Sequence, residues 1–373
     1  MSLVTAQPDI EPDRDDQPAV DCSVLIPVLN EESHIRRTAA AMLRQRFPGT
    51  LEFIFADGGS TDRTRQILEE MRREDPRIRI VDNPLRNVAS GLNASLAGAR
   101  GQWVARMDAH ADFPRDYLAL GVERLRRGDT RWVSGPAVPR GTNAVSRAVA
   151  LALRTRLGRG GSRKWAIEAA GPGAEVELDS GVFAGIWERE VLLSYGGWDE
   201  HWPRNSDSEL AGRFLGNGER LVCLPAMAAG YVPRGSIAGL FRQYLDYGDF
   251  RAKTARRHPH TLRRSHLLPP AVVIAIAASL IAPRRPRATA RAGIAGYAAL
   301  LVAAAARTYA ETGEREAALI PLALAAMHLG HGAGFLRGAV RHGPPLAALA
   351  RLRGAGEAPT GDGSPPVFNP SLA

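Results

Sequence analysis

Short apolar runs alternate with segments of helical periodicity from residue 22 onward, and this alternation restricts the possible folds more than any other feature. The runs cover residues 22–28, 51–56 and 78–81, and a fourth begins at Trp103. Nearly continuous apolar runs are typical of strands that are buried on both faces of a parallel sheet. Strands and helices that alternate at this spacing predict an α/β chain with a doubly wound, mostly parallel sheet.

Polar residues follow these runs, and such a sheet would bring them together in one crevice at the carboxyl ends of its strands. Asn30 and Glu31 follow the first run, Asp57 the second and Asp108 the fourth. His110 lies two residues after Asp108, and two donors at this spacing can share one divalent cation. Two plainer interpretations stay open: Asp108 caps a turn while His110 lies on the surface, and Asp57 is only the acidic member of a glycine turn.

Positive charge is concentrated in the C-terminal third of the chain. Of the 48 Lys and Arg, 16 lie from Arg251 onward, against 5 of the 39 Asp and Glu, and residues 251–300 contain no acid. Apolar runs separate these basic residues, which is typical of a membrane edge that faces anionic lipid. A nucleic-acid surface would more often place them on polar elements, and we therefore expect no nucleic-acid partner.

The two ends of the chain and its cysteines point to an intracellular protein. Residues 1–19 are polar and residues 352–373 are rich in Gly, Pro and Ser, so both are expected to be disordered tails. No basic start precedes an apolar run, and we expect no secretory signal. Cys22 and Cys223 lie far apart in strand-like contexts, which indicates buried thiols in a reducing compartment.

An ordered set of motifs resembles the family-two glycosyltransferases, and is similar to the bacterial members that synthesise succinoglycan-type exopolysaccharides. The likeness covers about residues 20–340. Its nucleotide-binding half consists of PVLNEE (27–32), DGGSTD (57–62) and RMDAH (106–110), and its acceptor half of SGVFAG (180–185), GGWDE (196–200) and NSDSELAGRF (205–214).

The resemblance implies a GT-A domain, a Rossmann-like mixed sheet that binds a nucleotide-diphospho-sugar, and transfer of the sugar with inversion. Asp57 would contact the base of the nucleotide, and Asp108 with His110 would hold a divalent cation, Mg or Mn. Many relatives have a second Asp where this chain has His110, which leaves one carboxylate fewer on the metal. The donor would be a nucleotide-diphospho-sugar, with a UDP-sugar as first choice, and its pocket would include Pro27, Asn30, Glu31, Asp57, Arg106 and Asp108.

Sugar transfer also needs a general base, because the incoming hydroxyl must lose its proton. Asp207 is the candidate, although a carboxylate at this place could also serve only to stabilise a helix start. Relatives usually have Glu-Asp here, whereas this chain has Ser206 before Asp207. Glu209 is expected on the helix surface and is the second choice of base.

Five residues are predicted on the acceptor side. Asp179 and Gly181 begin a predicted strand, in which Gly181 leaves room for a sugar. Trp198 and Asp199 follow two glycines and could stack on and hydrogen-bond a sugar ring, although simple packing is equally open for Trp198. Gln243 resembles the glutamine of the QxxRW signature of processive members, but the Arg-Trp half is missing, so processive synthesis is not expected.

A glycine-rich loop is predicted at residues 158–175. It carries Arg159, Arg163 and Lys164. The loop could close over the phosphates of the donor, or it could be a long solvated connection.

After residue 235 the sequence predicts membrane attachment. Residues 236–264 place apolar side chains on one helical face and basic residues on the other, as interfacial helices do. Apolar stretches follow at 267–282, 292–306 and 317–336, and only the third has the length of about 20 residues that spanning requires. The basic linker 284–287 indicates that the first stretch is re-entrant or interfacial and that the other two form a spanning hairpin. A soluble helical cap is the alternative.

These features predict a membrane-attached inverting glycosyltransferase that extends a lipid-linked saccharide at the cytoplasmic face of the cell membrane. Its parts would be a catalytic GT-A domain at 20–235, an interface helix at 236–264 and membrane helices at 265–340. Two other functions stay open: transfer of the sugar to polyprenyl phosphate itself, which needs no base, and a catalytically inactive membrane scaffold that binds a nucleotide sugar.

Overall fold

The structure is a computed structural model that describes residues 19–160, 162, 174–182 and 184–354. Nearly all of both predicted tails and most of the predicted loop at 158–175, with Arg163 and Lys164, lie outside the described residues.

The predicted alternation of strands and helices is confirmed in the first hundred residues. The strands at 22–28, 51–57 and 103–106 are almost entirely buried, the strand at 78–82 is buried only at its first residue, and the helices between them bury one stripe of side chains each. In chain order the elements are β1 (Cys22–Val28), α1 (Ile35–Met42), β2 (Leu51–Asp57), α2 (Thr64–Glu74), β3 (Ile78–Asp82), α3 (Val88–Ala97) and β4 (Trp103–Arg106).

The remaining elements of the α/β part are shorter. They are β5 (Ala111–Asp112), α4 (Tyr117–Leu125), β6 (Trp132–Ser134), β7 (Ala137–Pro139), α5 (Ala144–Arg154), α6 (Arg156–Arg159), β8 (Val176–Leu178), β9 (Gly185–Glu188), α7 (Arg189–Ser194), α8 (Ser206–Gly216), β10 (Leu221–Cys223) and β11 (Ala229–Tyr231).

The main sheet of the described chain is mixed rather than wholly parallel. Its order is β3-β2-β1-β4-β9-β6-β10-β8. The strands β1 to β4 are parallel, β9 is antiparallel to both of its neighbours, and β8 is antiparallel to β10. A small sheet, β5-β11-β7, lies beside it. The carboxyl ends of β1, β2 and β4 therefore form one edge, as the sequence predicted.

Helices cover both faces of the main sheet because successive side chains of each strand point to opposite faces. Ile26 and Phe55 belong to one buried cluster, together with side chains of α1, α2 and α4. Leu25 and Ile54 belong to the other, together with side chains of α3, α7 and α8. The sheet is thus a rigid platform, and loops at its carboxyl edge carry the polar residues.

Five helices form the C-terminal part of the described chain. They are α9 (Ile237–Arg257), α10 (Leu268–Ile281), α11 (Arg284–Thr312), α12 (Ile320–His342) and α13 (Leu346–Leu352). The helices α9 and α12 run parallel and very close together, since an added Cβ on Gly334 or Gly338 would meet the backbone of Leu245 or Asp249. Small residues at this spacing let two backbones approach in membrane proteins.

Within the part of the chain that the structure describes, three helical segments are long and apolar enough to cross a membrane: 264–281, 284–312 and 315–342. The prediction that only the third stretch is long enough is wrong, because the helices extend beyond the apolar runs on which it was based. The third segment is also the most enclosed: 56% of its apolar stretch is buried inside the protein, against 22% and 11% for the first two segments. The assignment of a re-entrant segment and a spanning hairpin stays a prediction.

Candidate functional site

One open cleft of about 630 Å³ lies between the carboxyl edge of β1 and β4, the start of α8, and α9. It brings together residues that are far apart in the sequence and that belong to both predicted halves of the site. The predicted site residues in its wall are Glu31, Arg106, Asp108, His110, Asp179, Asp207 and Gln243.

The loop after β2 is fixed by hydrogen bonds around Asp57 and Asn30. The Asp57 carboxylate is 4% exposed and accepts hydrogen bonds from the hydroxyl and the backbone N–H of Ser60, at 2.6 and 3.2 Å. Asn30 has a positive φ of 55°, and its side-chain oxygen accepts from the Thr61 N–H at 2.8 Å. Both residues thus shape the glycine turn after β2, and neither they nor Pro27 of β1 line the cleft. Their contact with a nucleotide stays a prediction.

Arg106 and Asp108 form a bidentate pair at the end of β4. The guanidinium donates to the two carboxylate oxygens at 2.8 and 3.1 Å, and both side chains are largely buried. Burial opposes the charge of Arg106, but Asp108 outweighs it, so the pKa of Arg106 is raised. The pair fixes the orientation of the Asp108 carboxylate, whose oxygens keep lone pairs that can bind a ligand.

His110 faces Glu31 in the lining of the cleft. Its Nδ1 is 3.4 Å from a Glu31 carboxylate oxygen, and this contact raises the pKa of His110. A carboxylate on one ring nitrogen orients a histidine whose other nitrogen can bind a metal.

Asp108 and His110 supply too few ligands to hold a metal ion alone, and they fit a site that is completed by a bound substrate. In the described residues no group of three His, Cys, Asp or Glu side chains is arranged to hold a metal ion. Mg²⁺ and similar cations are commonly bound by one or two carboxylates together with substrate phosphates. Asp108 and His110 therefore suit a cation whose remaining ligands come from a diphosphate and water.

Asp207 lies in the first turn of α8, and its carboxylate has no hydrogen-bond partner within the described residues. The loop before it is held by α9: the Asn205 side-chain amide donates to the backbone oxygen of Tyr247 at 3.1 Å, and Arg251 donates to the Ser208 hydroxyl at 3.3 Å. Its charge acts on Arg106 and on Tyr247, whose pKa values it helps to raise. The carboxylate is thus positioned and chemically available.

Glu209 does not lie on the helix surface, so that expectation is wrong. Its side chain is completely buried and binds Arg213 at 2.8 Å and His258 at 3.1 Å. Burial alone would raise the pKa of Glu209, but its hydrogen bonds to His258 and Arg213 outweigh burial and lower it. A carboxylate held in this way anchors α8 and is unsuited to accept a substrate proton.

Trp198 and Asp199 do not face the cleft, so their predicted contacts with a sugar are wrong for this structure. Trp198 is 2% exposed, packs edge to face on Trp187 with ring centroids 5.5 Å apart, and exchanges backbone hydrogen bonds with the Asn93 side chain. Asp199 binds Arg257 at 2.6 Å. The two residues join the core to the end of α9.

The predicted strand that starts at Asp179 is not formed by residues 179–182. This segment passes over the first turn of α8, where an added Cβ on Gly181 would collide with the backbone oxygen of Asp207. Gly181 thus makes room for a helix backbone and not, as predicted, for a sugar. Asp179 does reach the cleft wall, where it pairs with Arg263 at 2.5 Å.

The helix α9 provides one wall of the cleft, of which the sequence predicted only Gln243 as a site residue. Gln243, Tyr247 and Arg251 follow one another at intervals of four residues, and Tyr244 lies beside them in the same wall. Gln243 donates to the Tyr247 hydroxyl at 3.1 Å. The sequence predicts that the apolar face of this helix lies at the membrane interface, whereas Tyr244 and Tyr247 line the cleft. The four-residue spacing was the available signal, since it places polar side chains on one helical face.

Comparison with known proteins gives consistent likenesses. The model of the family described as "Glycosyl transferase family 2" matches residues 23–171. Succinoglycan biosynthesis protein ExoA of Rhizobium meliloti (strain 1021) is 33% identical over 320 residues, which is 84% of this chain and 93% of that protein. A dolichyl N-acetyl-alpha-D-glucosaminyl phosphate 3-beta-D-2,3-diacetamido-2,3-dideoxy-beta-D-glucuronosyltransferase of Methanococcus voltae is 24% identical over 233 residues, 61% of this chain and 71% of that protein.

A solved structure has a similar fold. It is the mannosyltransferase PcManGT from Pyrobaculum calidifontis in complex with GDP-Man and Mn2+, with a TM-score of 0.56 and 21% sequence identity. The match covers 88% of this chain and 89% of that chain.

Proposed function

Because the chain belongs to the family 2 glycosyltransferases, we propose that it transfers a sugar, with inversion, from a nucleotide-diphospho-sugar to a hydroxyl of a lipid-linked saccharide. The observation that carries this proposal is one cleft whose lining contains both a fixed carboxylate, Asp108, and an available one, Asp207. The likeness to ExoA supports a place in exopolysaccharide synthesis.

The donor would bind at the sheet edge, with its base beside Asp57 and its diphosphate at Asp108. Asp108 and His110 would hold a divalent cation, Mg or Mn, which when bound offsets the negative charge that builds on the leaving diphosphate. The solved neighbour contains GDP-Man and Mn2+. A UDP-sugar is the first choice of donor for this chain, and transfer assays with several nucleotide sugars test that choice.

Asp207 would act as the general base. It takes the proton of the acceptor hydroxyl while the oxygen of that hydroxyl bonds to the anomeric carbon and the bond from that carbon to the diphosphate breaks. Attack from the face opposite the leaving group inverts the configuration. The absence of a hydrogen-bond partner on this carboxylate, within the described residues, supports its availability for the proton.

The acceptor would lie along α9. Gln243, Tyr244 and Tyr247 offer it a hydrogen-bonding amide and two aromatic rings, a combination that suits a sugar with one apolar face and several hydroxyls. This arrangement replaces the contacts expected from Trp198 and Asp199.

Membrane attachment would come from α10, α11 and α12. The three long apolar segments support it, and α12 packs directly on the helix that lines the cleft. We propose a catalytic domain that faces the cytoplasm, with its acceptor side at the membrane surface.

The test is sugar transfer by the purified full chain in detergent, with Mg²⁺ or Mn²⁺, a panel of nucleotide sugars and a lipid extract as acceptor. Asp108→Ala should remove activity by weakening donor binding. Asp207→Asn should lower kcat by about 10²–10⁴-fold, the usual contribution of a general base, and should keep donor binding. Asp116→Asn is the matched control, because its carboxylate is exposed and outside the cleft.

Two outcomes would favour the alternatives. Full activity of Asp207→Asn would support transfer to polyprenyl phosphate, whose oxygen is already ionised and needs no base. Donor binding without turnover of any sugar would support a scaffold.

A further inference from the structure

Among the residues that the structure describes, three arginines in the cleft wall have no carboxylate partner. They are Arg204 before α8, Arg234 before α9, and Arg251 within α9. The other cleft arginines are paired, Arg106 with Asp108 and Arg263 with Asp179. Within the described residues, no Asp or Glu lies within ion-pair distance of the three. Arginines of this kind, with five donors in a planar fork, are typical phosphate ligands.

Two of the three arginines share a neighbour, Tyr247, with the proposed base. Arg204 and Arg234 both act electrostatically on its phenol, and so does Asp207. Arg251 is one helical turn further along α9 and also lies within electrostatic reach of Asp207. An anion held here would therefore lie beside the proposed base, on the α9 side of the cleft, whereas the predicted position of the donor diphosphate is at Asp108 on the sheet edge.

Arg251 is the most strongly desolvated of the three. Burial, together with the charge of Arg263, lowers the pKa of Arg251 to about 10. Its guanidinium donates a hydrogen bond to the neutral hydroxyl of Ser208 at 3.3 Å. A desolvated cation that forms no ion pair is costly, and a bound anion would reduce that cost.

The same cleft opens toward the apolar helices. Arg263 and His266 line it just before α10 begins, and His331 of α12 lines it from the other side. Beyond this point α10 and α11 expose large apolar side chains, among them Ile281 at 83% and Leu300 at 58% exposed. A ligand that combines a phosphate with a hydrocarbon chain fits both features.

We propose that Arg204, Arg234 and Arg251 form a second anion site, which binds the phosphate-bearing headgroup of the lipid that carries the acceptor saccharide. This inference rests on the proposed function and adds to it the chemical class of the acceptor. The headgroup would hold the lipid next to Asp207, with its hydrocarbon chain leaving the cleft along α10.

Binding of farnesyl diphosphate to the full chain in detergent tests the proposal. It is measured by equilibrium dialysis with Mn²⁺ and excess UDP and GDP present, so that the donor position is filled. Farnesol and inorganic diphosphate are run beside it, to separate the contributions of the anion and the hydrocarbon. The variants are Arg251→Gln and Arg234→Gln, and Arg242→Gln is the matched control, since Arg242 lies on the exposed side of α9 and outside the cleft.

We expect farnesyl diphosphate to bind despite the nucleotides, and each cleft variant to raise its Kd by about tenfold, the effect of losing one charge-assisted hydrogen bond. Arg242→Gln should leave the Kd unchanged. Because Arg251→Gln also loses the Ser208 contact, Arg234→Gln provides an independent test at an exposed position. Donor hydrolysis is measured in the parent chain and in Arg242→Gln, where it should persist.

Several results would overturn the inference. Nucleotides that fully displace farnesyl diphosphate would place it in the donor site. Equal binding of farnesol would exclude recognition of the anion, and equal binding of inorganic diphosphate would exclude a role of the lipid. An equal effect of Arg242→Gln would reduce the site to general surface charge. Failure of farnesyl diphosphate to bind, with donor hydrolysis intact, would refute this inference alone, whereas loss of all nucleotide-sugar binding in the parent chain would refute the proposed function.

Discussion

Replacing Gly181 with alanine should slow sugar transfer although Gly181 takes no part in the chemistry. The added Cβ would lie well inside 3.0 Å of the Asp207 backbone oxygen and 3.2 Å from the Cβ of Ala211. Neither neighbour is the flexible end of a long side chain, so the first turn of α8 has to move, and the proposed base moves with it. A misplacement of about 1 Å can cost about 10²-fold in rate, and we expect kcat to fall by about that factor.

The assay compares initial rates of transfer, the donor KM and thermal unfolding in detergent. The donor KM should stay near that of the parent chain, because the loops that contain Asp57 and Asp108 are not displaced. Overpacking should lower the unfolding free energy by about 1–3 kcal/mol. Gly296→Ala in α11 is the control, since its Cβ would meet nothing within 4 Å. A folded Gly181→Ala protein with the kcat of the parent chain would refute the reasoning.

Three further substitutions test the surroundings of the cleft. Glu209→Gln should lower the unfolding free energy by about 3–5 kcal/mol at pH 7. Because native contacts lower the pKa of Glu209 below 4.5, the extra stability of the parent chain is present above that pH and is lost as the pH falls through the native pKa. Unfolding curves in which the stability difference between parent and variant persists at low pH would contradict this. Gly334→Leu should destabilise the protein by about 1–3 kcal/mol or more, since its side chain would meet the α9 backbone, while Gly296→Leu should not; equal unfolding temperatures would speak against the close α9–α12 contact. Gln243→Ala should raise the KM of the acceptor about three- to tenfold through one lost hydrogen bond and leave the donor KM unchanged, and the reverse pattern would place Gln243 on the donor side.

Much of the sheet edge could be predicted from the sequence, because its signals are local. Strand period and polar loop residues identify the ends of β1, β2 and β4 without knowledge of distant contacts. Motif order predicts Asp108 and Asp207 in one site, and both line the same cleft. The antiparallel direction of β9 and β8 could not be predicted in this way. It depends on which sheet edges remain free after the first strands have paired, and no local pattern shows this.

The errors concern residues whose environment depends on distant partners. Glu209 has the spacing of a surface residue, and only the arrival of His258, 49 residues later, buries it. Trp198 follows two glycines, as an exposed sugar-binding residue could, but Trp187 and Asn93 enclose it. The space beside Gly181 is filled by a helix that comes later in the chain. In each case tertiary packing overrides the local pattern.

The helix α9 joins the α/β part of this protein to its C-terminal helices, and its contacts link the geometry of the cleft to those helices. One face supplies Gln243 and Tyr247 to the cleft, and its backbone at Tyr247 holds the loop that leads to Asp207. The opposite face packs on the glycines of α12, and its buried Asp249 binds Arg337 of α12 at 2.6 Å. A shift of α12 would therefore act on α9 and, through the loop, on the proposed base. The proposed sugar transfer would thus depend on the C-terminal helices for its geometry.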